Sequence, residues 1–133
     1  MSPMSEIASG GEMARIMLSL KSVLNEKDGV GSAIYDEIDT GISGKTSRKI
    51  GIKLHDIARD SQVICVTHSA QIATLADNHF LISKKEINGR AQTSIRLLER
   101  EERVEEAARI LGGINITEAQ RAAARDMLDN INE

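Results

Sequence analysis

The sequence predicts an α/β protein: a mostly parallel sheet flanked by helices, followed by a terminal β-hairpin and C-terminal helices. Two short apolar runs, 32–36 and 63–66, each end in polar residues and are separated by a segment with helical periodicity. Two strands joined by a helix form a βαβ unit, in which the strands are parallel. An Asn88-Gly89 pair between later alternating segments indicates the hairpin. The 133 residues fit a single domain spanning 1–133.

The composition sets the material of the core. Hydrophobic residues make up 41% and charged residues 28%, an ordinary balance for a globular domain. With one Tyr, one Phe and no Trp, the core has to be built from Ile, Leu, Val, Met and Ala. The net charge of -3 provides no global basic field for nucleic acid, although a local basic patch is compatible with it.

Cysteine usage and hydropathy indicate the compartment. The single cysteine, Cys65, lies in an apolar run, so we expect it to fill core space and to form no internal disulfide. No apolar run approaches the roughly 20 residues that a bilayer-spanning helix needs, and there is no signal-peptide pattern. A soluble cytoplasmic protein is expected. The chain reaches a glycine motif almost at once, which suggests a fragment of a longer protein.

The first predicted helix begins at the Ser-Gly-Gly-Glu segment, residues 9–12. Apolar residues then recur at helical spacing up to Leu24, which predicts a helix of about 13 to 15 residues. Ser9 and Glu12 fit a capping box, which needs no ligand. Alternatively, the backbone N–H groups of Gly10 and Gly11 and the Ser9 hydroxyl suit a phosphate at the positive end of the helix dipole.

The first strand ends in an acidic segment. Ala33, Ile34 and Ile38 fit a buried strand, and Asp36, Glu37 and Asp39 crowd its end. Carboxylates are costly to desolvate there unless a cation compensates them, and Mg²⁺ prefers such hard oxygen ligands. Asp36 would then hold the metal, directly or through water, and Glu37 would polarise a water molecule. The plain alternative is a strand end that emerges into solvent.

A second strand end carries a histidine. A helix with apolar positions at Ile50, Leu54 and Ile57 leads into strand 63–66, which His68 follows. In parallel sheets ligands bind beyond the carboxyl ends of the strands. His68 is therefore expected beside Asp36 and Glu37. This position favours a functional role for the histidine over a purely structural one.

The remaining segments predict the hairpin and two helices. The hairpin strands are expected at 79–84 and 93–98, joined by a longer loop that contains Asn88-Gly89. A helix at 99–111 is closed by Gly112-Gly113, and a capping box at Thr117 and Gln120 begins the last helix.

Gly44-Lys45-Thr46 resembles the end of a phosphate-binding P-loop, but the complete pattern is absent. The pattern requires a glycine five positions before Gly44, where this chain has Asp39. Three carboxylates also crowd the loop, and like charges 4 Å apart repel by roughly 4 kcal/mol at an effective dielectric near 20. We therefore reject a P-loop here.

Four motifs together resemble those of ABC-type ATPases, in the form found in chromosome-maintenance and DNA-repair members. Residues 8–12 resemble the signature motif, 32–37 the Walker B strand, 39–43 the D-loop, and His68 the switch histidine. Their order and spacing match the family. Segments 35–44, 64–73, 76–80 and 103–113 resemble one bacterial, SMC-like DNA-repair branch of it.

The resemblance implies the C-terminal lobe of an ABC-type P-loop NTPase head, without its Walker A segment. The missing P-loop would lie upstream, across a long coiled coil, and two heads would sandwich two ATP molecules. Ser9, Gly10 and Gly11 would contact the γ-phosphate held by the partner head. Asp39 would lie at the dimer seam and couple the two sites.

The resemblance also implies the hydrolytic residues. Asp36 would assist Mg²⁺, Glu37 would act as general base or water positioner, and His68 would sense the γ-phosphate of ATP. The implied role is ATP-driven DNA binding in double-strand break repair and recombination, near the bacterial nucleoid. Two alternatives stay open: a self-contained small NTPase using Gly44-Lys45-Thr46, and a non-enzymatic dimerisation scaffold.

Overall fold

The computed structural model describes residues 9–24, 31–87 and 89–130. Ala8 of the glycine motif and Asn88 of the hairpin turn lie outside these ranges. The elements in chain order are α1 (Gly10–Leu24), β1 (Ser32–Asp36), α2 (Gly44–Ile57), β2 (Gln62–Val66), α3 (Ala70–Ala73), β3 (Phe80–Ile87), β4 (Arg90–Leu97), α4 (Arg100–Gly112) and α5 (Glu118–Asp129). In the described ranges no helix is both long and apolar enough to cross a bilayer.

Strands β1 and β2 form the predicted parallel pair, connected through α2. Their register runs from Ser32 opposite Gln62 to Asp36 opposite Val66. Side chains alternate between the two faces of a sheet. Tyr35 is buried and Cys65 is partly buried, both packed into the core beneath the helices.

The other face of this sheet is open to solvent. Ile34 is 72% exposed and lies opposite Ile64, which is 45% exposed. The expectation that Ile34 lies in a buried strand is therefore wrong for this chain. The packed helices cover the face that carries Tyr35, whereas Ile34 points the other way.

Helices α1 and α2 and the strands enclose the first core. As predicted, it is almost entirely aliphatic, with one aromatic ring; its buried members are Leu18, Tyr35, Ile38, Ile50, Leu54, Ile57 and Ile72. Gly51 allows α2 to approach α3 closely, because a Cβ there would lie 2.5 Å from Leu75 Cδ1 and 3.3 Å from the Gln71 carbonyl oxygen.

The hairpin differs from its prediction in length. β3 and β4 pair antiparallel from Phe80 opposite Leu97 to Ile87 opposite Arg90. The first strand thus continues to Ile87 and the second begins at Arg90, so the prediction of a longer loop is wrong. The missed parts, 85–87 and 90–92, are mostly polar or charged, and a solvent-exposed hairpin does not need apolar alternation.

A second core joins α3 to the C-terminal helices. Its buried members are Ala70, Val104, Ala107, Ala108, Ala124 and Leu128. The predicted ends of these helices are confirmed: Gly113 has φ 72° at the end of α4, and Thr117 and Gln120 form the capping box of α5. Arg48 of α2 donates to the carbonyl oxygens of Met127 and Asn130, which ties the last helix to the first core.

Candidate functional site

The start of α1 is capped by its own residues. The Glu12 backbone N–H donates to Ser9 Oγ over 3.3 Å, and the Ser9 backbone N–H donates to Glu12 Oε2 over 2.8 Å. Hydrogen bonds that the carboxylate accepts from the Ser9 backbone N–H and from the Ser9 hydroxyl lower the pKa of the Glu12 carboxyl. The capping-box prediction is confirmed.

Gly10 and Gly11 pack against Glu37 of the same chain. A Cβ on Gly10 would lie 3.0 Å from Glu37 Oε2, and one on Gly11 would lie 2.7 Å from the Glu37 carbonyl oxygen. Real Cβ atoms do not approach backbone so closely. Packing within this chain thus explains the two glycines. They allow the first turn of α1 to contact residues 37–41, the acidic loop that follows β1.

Arg15 joins α1 to the acidic loop by hydrogen bonds. Its Nη1 atom donates to the carbonyl oxygens of Ile38 and Thr40, each over 3.1 Å. Arg15 lies one helical turn after Gly11, so both residues face the loop from the same side of α1. A Cβ on Gly11 would also crowd the guanidinium, at 3.1 Å from Nη1.

Glu37 stands in the left-handed region of backbone space, with φ 56°. Among the described residues it is the one non-glycine with positive φ. Such a conformation costs on the order of 1–3 kcal/mol and persists where the surroundings enforce it. Its carbonyl oxygen accepts a bond from the Thr40 backbone N–H over 3.1 Å, which closes the turn. Both Asp36 and Glu37 are exposed to solvent.

Asp39 links the acidic loop to the end of β2. Its Oδ2 accepts from the Thr67 hydroxyl over 2.6 Å and from the His68 backbone N–H over 3.1 Å. His68 Nδ1 lies 3.5 Å from the same oxygen; the Asp39 side chain is 2% exposed and that of His68 is 82% exposed. The second oxygen, Oδ1, is buried and has no hydrogen-bond partner among the residues that the structure describes. The two predicted strand ends therefore meet, as their parallel pairing requires.

Cys65 lies between this cluster and the core. Burial first, and then the negative charges of Asp39 and Asp36, raise the pKa of its thiol to about 12. A neutral, partly buried thiol is consistent with the predicted role as core filler.

The degenerate Gly44-Lys45-Thr46 segment forms the first turn of α2. Ser43 caps it, accepting from the Thr46 backbone N–H over 3.4 Å and exchanging a bond with the Thr46 hydroxyl at 3.2 Å. A Cβ on Gly44 would lie 3.1 Å from Gln71 Nε2. These contacts account for the segment as an ordinary helix start.

Sequence comparison places the chain beside one group of curated proteins. It is 46% identical over 127 residues to the DNA repair protein RecN of Halalkalibacterium halodurans, a match covering 96% of this chain. It is 39% identical to the RecN of Bacillus subtilis and 42% identical to that of Treponema pallidum, over 94% and 95% of the chain. The chain is RecN-like over nearly its whole length. No family model matches it.

The RecN-like chain corresponds to part of these relatives. It spans 22% of the length of each of the three proteins. One solved structure, from work on ATP-driven dimerization and DNA-stimulated activation of SMC ATPases, has a similar fold, with a TM-score of 0.58 and 19% sequence identity. The match covers 83% of the RecN-like chain and 66% of that chain. The RecN-like chain thus shares the fold of this SMC ATPase structure, which is consistent with the C-terminal lobe of an ABC-type ATPase head.

Two residues that make important contacts in the RecN-like chain were not predicted from the sequence. Arg15 and Thr67 organise the acidic loop and the histidine, but neither was singled out. The position of Arg15, four residues after Gly11, is a signal that could have drawn attention to it. Thr67 carries a weaker signal, since a hydroxyl after a buried strand is common.

Proposed function

We propose that this chain is the C-terminal lobe of the ATP-binding and hydrolysing head of a RecN-like protein that acts on DNA in double-strand break repair and recombination. The observation that carries the proposal is the meeting of two strand ends. Asp36 is the last residue of β1 and Glu37 follows it, His68 follows β2, and Asp39 bonds the two segments together. The repair role rests on the RecN relatives.

The donor set at the end of β1 fits a magnesium ion that ATP helps to hold. In the described ranges no three His, Cys, Asp or Glu side chains are close enough to bind a metal by themselves. Mg²⁺ typically takes one or two carboxylates and completes its shell with phosphate oxygens and water. Asp36 is exposed and would supply such a carboxylate. When bound, the ion would neutralise charge on the phosphates.

Glu37 and His68 would act on the attacking water and the γ-phosphate. The Glu37 carboxylate would accept a hydrogen bond from the water and orient it, as general base or water positioner. His68 presents an exposed ring, whose Nδ1 lies 3.5 Å from Asp39 Oδ2. Asp39 accepts from the backbone N–H of His68 and faces Nδ1, an arrangement that would direct Nε2 outward to the phosphate.

The first turn of α1 would serve a second head. In the head dimer Ser9, Gly10 and Gly11 would contact the γ-phosphate held by the partner, where helix N–H groups favour an anion. Asp39 was expected at the dimer seam, yet its side chain is buried in its own chain. We therefore propose that Asp39 acts at the seam through the loop backbone, while its carboxylate fixes the loop from inside.

The upstream P-loop lobe would cover the open face of the first sheet. A parallel sheet is normally covered on both faces. Here Ile34, Ile64 and Val66 are exposed on the face opposite the helices. An apolar surface on the P-loop lobe would complete the sandwich and bring the phosphates to the strand ends.

Two alternatives predict different behaviour. A self-contained NTPase would bind ATP through Lys45, but the turn around Lys45 is closed by Ser43 and Thr46. A non-enzymatic scaffold would use α1 and the acidic loop only as an interface. No contact in the described ranges favours either one over the split head.

The decisive experiment measures Mg-ATP binding and hydrolysis by this chain alone and by the reconstituted head, meaning this chain combined with the P-loop lobe of a RecN-type protein. We expect little activity alone, turnover on mixing, and a fall in kcat of about 10²-fold or more for Glu37→Gln. Glu86→Gln, on the exposed hairpin, is the matched control. Tight ATP binding by the chain alone, lost in Lys45→Ala, would establish the small NTPase; unchanged turnover in Glu37→Gln would favour the scaffold.

A further inference from the structure

Arg15 holds the acidic loop at two points. One nitrogen, Nη1, donates to the carbonyl oxygens of Ile38 and Thr40, on either side of Asp39. The side chain reaches from the middle of α1 and is half-buried. Both of these bonds go to backbone oxygens and not to the carboxylates of Asp36 and Glu37.

The loop needs such support for a physical reason. Glu37 adopts a left-handed backbone conformation that a glutamate avoids unless its neighbours enforce it. Asp36, Glu37 and Asp39 also place three negative charges within four residues, which repel one another. A guanidinium bonded inside the loop opposes both effects, since it fixes the turn and supplies a positive charge.

Contacts on the opposite side of the loop complete the support. There the Asp39 carboxylate is bonded to Thr67 and His68. On the α1 side, beside Arg15, Gly11 packs on the Glu37 carbonyl oxygen. The loop is therefore held between α1 and the end of β2. The bonds of Arg15 go to Ile38 and Thr40, which are close to Glu37 in sequence. They involve no atom that is expected to touch ATP.

We propose that Arg15 is a positioning residue that holds the acidic loop so that Glu37 is presented to the attacking water. This inference rests on the proposed ATP hydrolysis and adds to it a residue outside the four motifs. Because Arg15 acts through the loop backbone, its loss should slow the chemical step and leave ATP binding intact.

The test uses the reconstituted head with Arg15→Met, Arg15→Lys and, as matched control, Arg59→Met, which removes an exposed guanidinium from another part of the chain. We expect Arg15→Met to lower kcat by about 10- to 100-fold with little change in KM for ATP. Arg15→Lys should be intermediate, because an ammonium keeps charge and donors but not the reach of the guanidinium. Arg59→Met should match the native chain.

Two further measurements separate positioning from general stability. Amide hydrogen exchange in the head should be faster at residues 37–41 in Arg15→Met, notably at Thr40, and unchanged in the core helix α2. In a Glu37→Gln background, adding Arg15→Met should leave ATP affinity and residual turnover unchanged, because the residue it positions is already lost.

The outcomes distinguish the two proposals. Equal kcat in Arg15→Met and Arg59→Met, or unchanged exchange at 37–41, overturns the role of Arg15 even if the head hydrolyses ATP. Lack of turnover in the native reconstituted head overturns the proposed function itself, and with it the catalytic role of Arg15. A uniform rise in exchange across α2 and the loop would reduce Arg15 to a stabilising residue.

Discussion

At the scale of single residues, the site consists of side chains that act on backbone. Arg15 bonds to two carbonyl oxygens, Gly11 clears space for a third, and Asp39 accepts from a backbone N–H. Such contacts fix the path of the chain, and the path then sets where Glu37 and His68 point. Sequence motifs identify the residues whose side chains face a ligand. They do not identify the residues that fix the backbone conformation under those side chains.

Cys65 provides a prediction about pH. Burial and two nearby carboxylates raise the pKa of its thiol to about 12, from an ordinary 9.0. Since the thiolate is the reactive form, alkylation by iodoacetamide should be slow in the folded chain and should stay slow until the pH approaches that value. Denatured chain, whose thiol has its ordinary pKa, should react fast at pH 8 to 9. Rapid labelling of folded protein at pH 8 would contradict the burial of Cys65.

At the scale of elements, local patterns predicted most of the fold. The βαβ unit and the capping boxes at Ser9–Glu12 and Thr117–Gln120 follow from residues near in sequence, and the structure has them. The exposure of Ile34 was missed, because periodicity identifies an apolar strand but not the layer that covers it. Arg15 was missed because its partners lie 23 and 25 residues away. The spacing from Gly11 places Arg15 on the same face of the helix, but it does not reveal the distant carbonyl oxygens to which Arg15 bonds.

Gly51 tests the close packing of α2 on α3. In an open helix Gly→Ala stabilises by about 1 kcal/mol, since alanine is the better helix former. At this position the added Cβ would lie 2.5 Å from Leu75 Cδ1 and near the backbone of Gln71 and Ile72. Overpacking of this kind typically costs about 1–3 kcal/mol. We therefore expect Gly51→Ala to lower the free energy of unfolding, measured by urea denaturation.

A matched substitution lies on the exposed side of the same helix. Lys49→Ala changes an exposed position of α2 and should shift stability by less than about 0.5 kcal/mol. If Gly51→Ala were as stable as Lys49→Ala or more stable, α2 and α3 would not approach as closely as described here.

At the scale of the whole molecule, the chain buries two cores and leaves an apolar face exposed on each of the two sheets that the structure describes. Ile34, Ile64 and Val66 are exposed on the first sheet, and Phe80, Ile82, Ile95 and Leu97 line one face of the hairpin. Contiguous apolar surface of this kind marks an interaction site or an aggregation liability. The isolated chain should consequently self-associate, and the P-loop lobe should suppress this by covering the first sheet.

Ile64→Thr tests the role of the open sheet face. Threonine keeps the β-branched shape that suits a strand and reduces the apolar surface. Sedimentation velocity over a range of concentrations should show weaker self-association for Ile64→Thr than for the native chain. Ile114→Thr is the control, since Ile114 is 98% exposed in a loop and lies outside both sheets. Equal self-association in both variants would mean that the sheet face is not the contact surface.

The composition of the core also has a spectroscopic consequence. Tyr35 is the only tyrosine, the chain has no tryptophan, and the ring is buried directly before Asp36. Intrinsic emission from this chain therefore comes from one position beside the acidic loop. Changes in that emission on adding magnesium or nucleotide would report on the end of β1 without any label. A change in the same emission on heating would report the unfolding of the first core. The protein carries its own optical probe at the place where its chemistry is proposed.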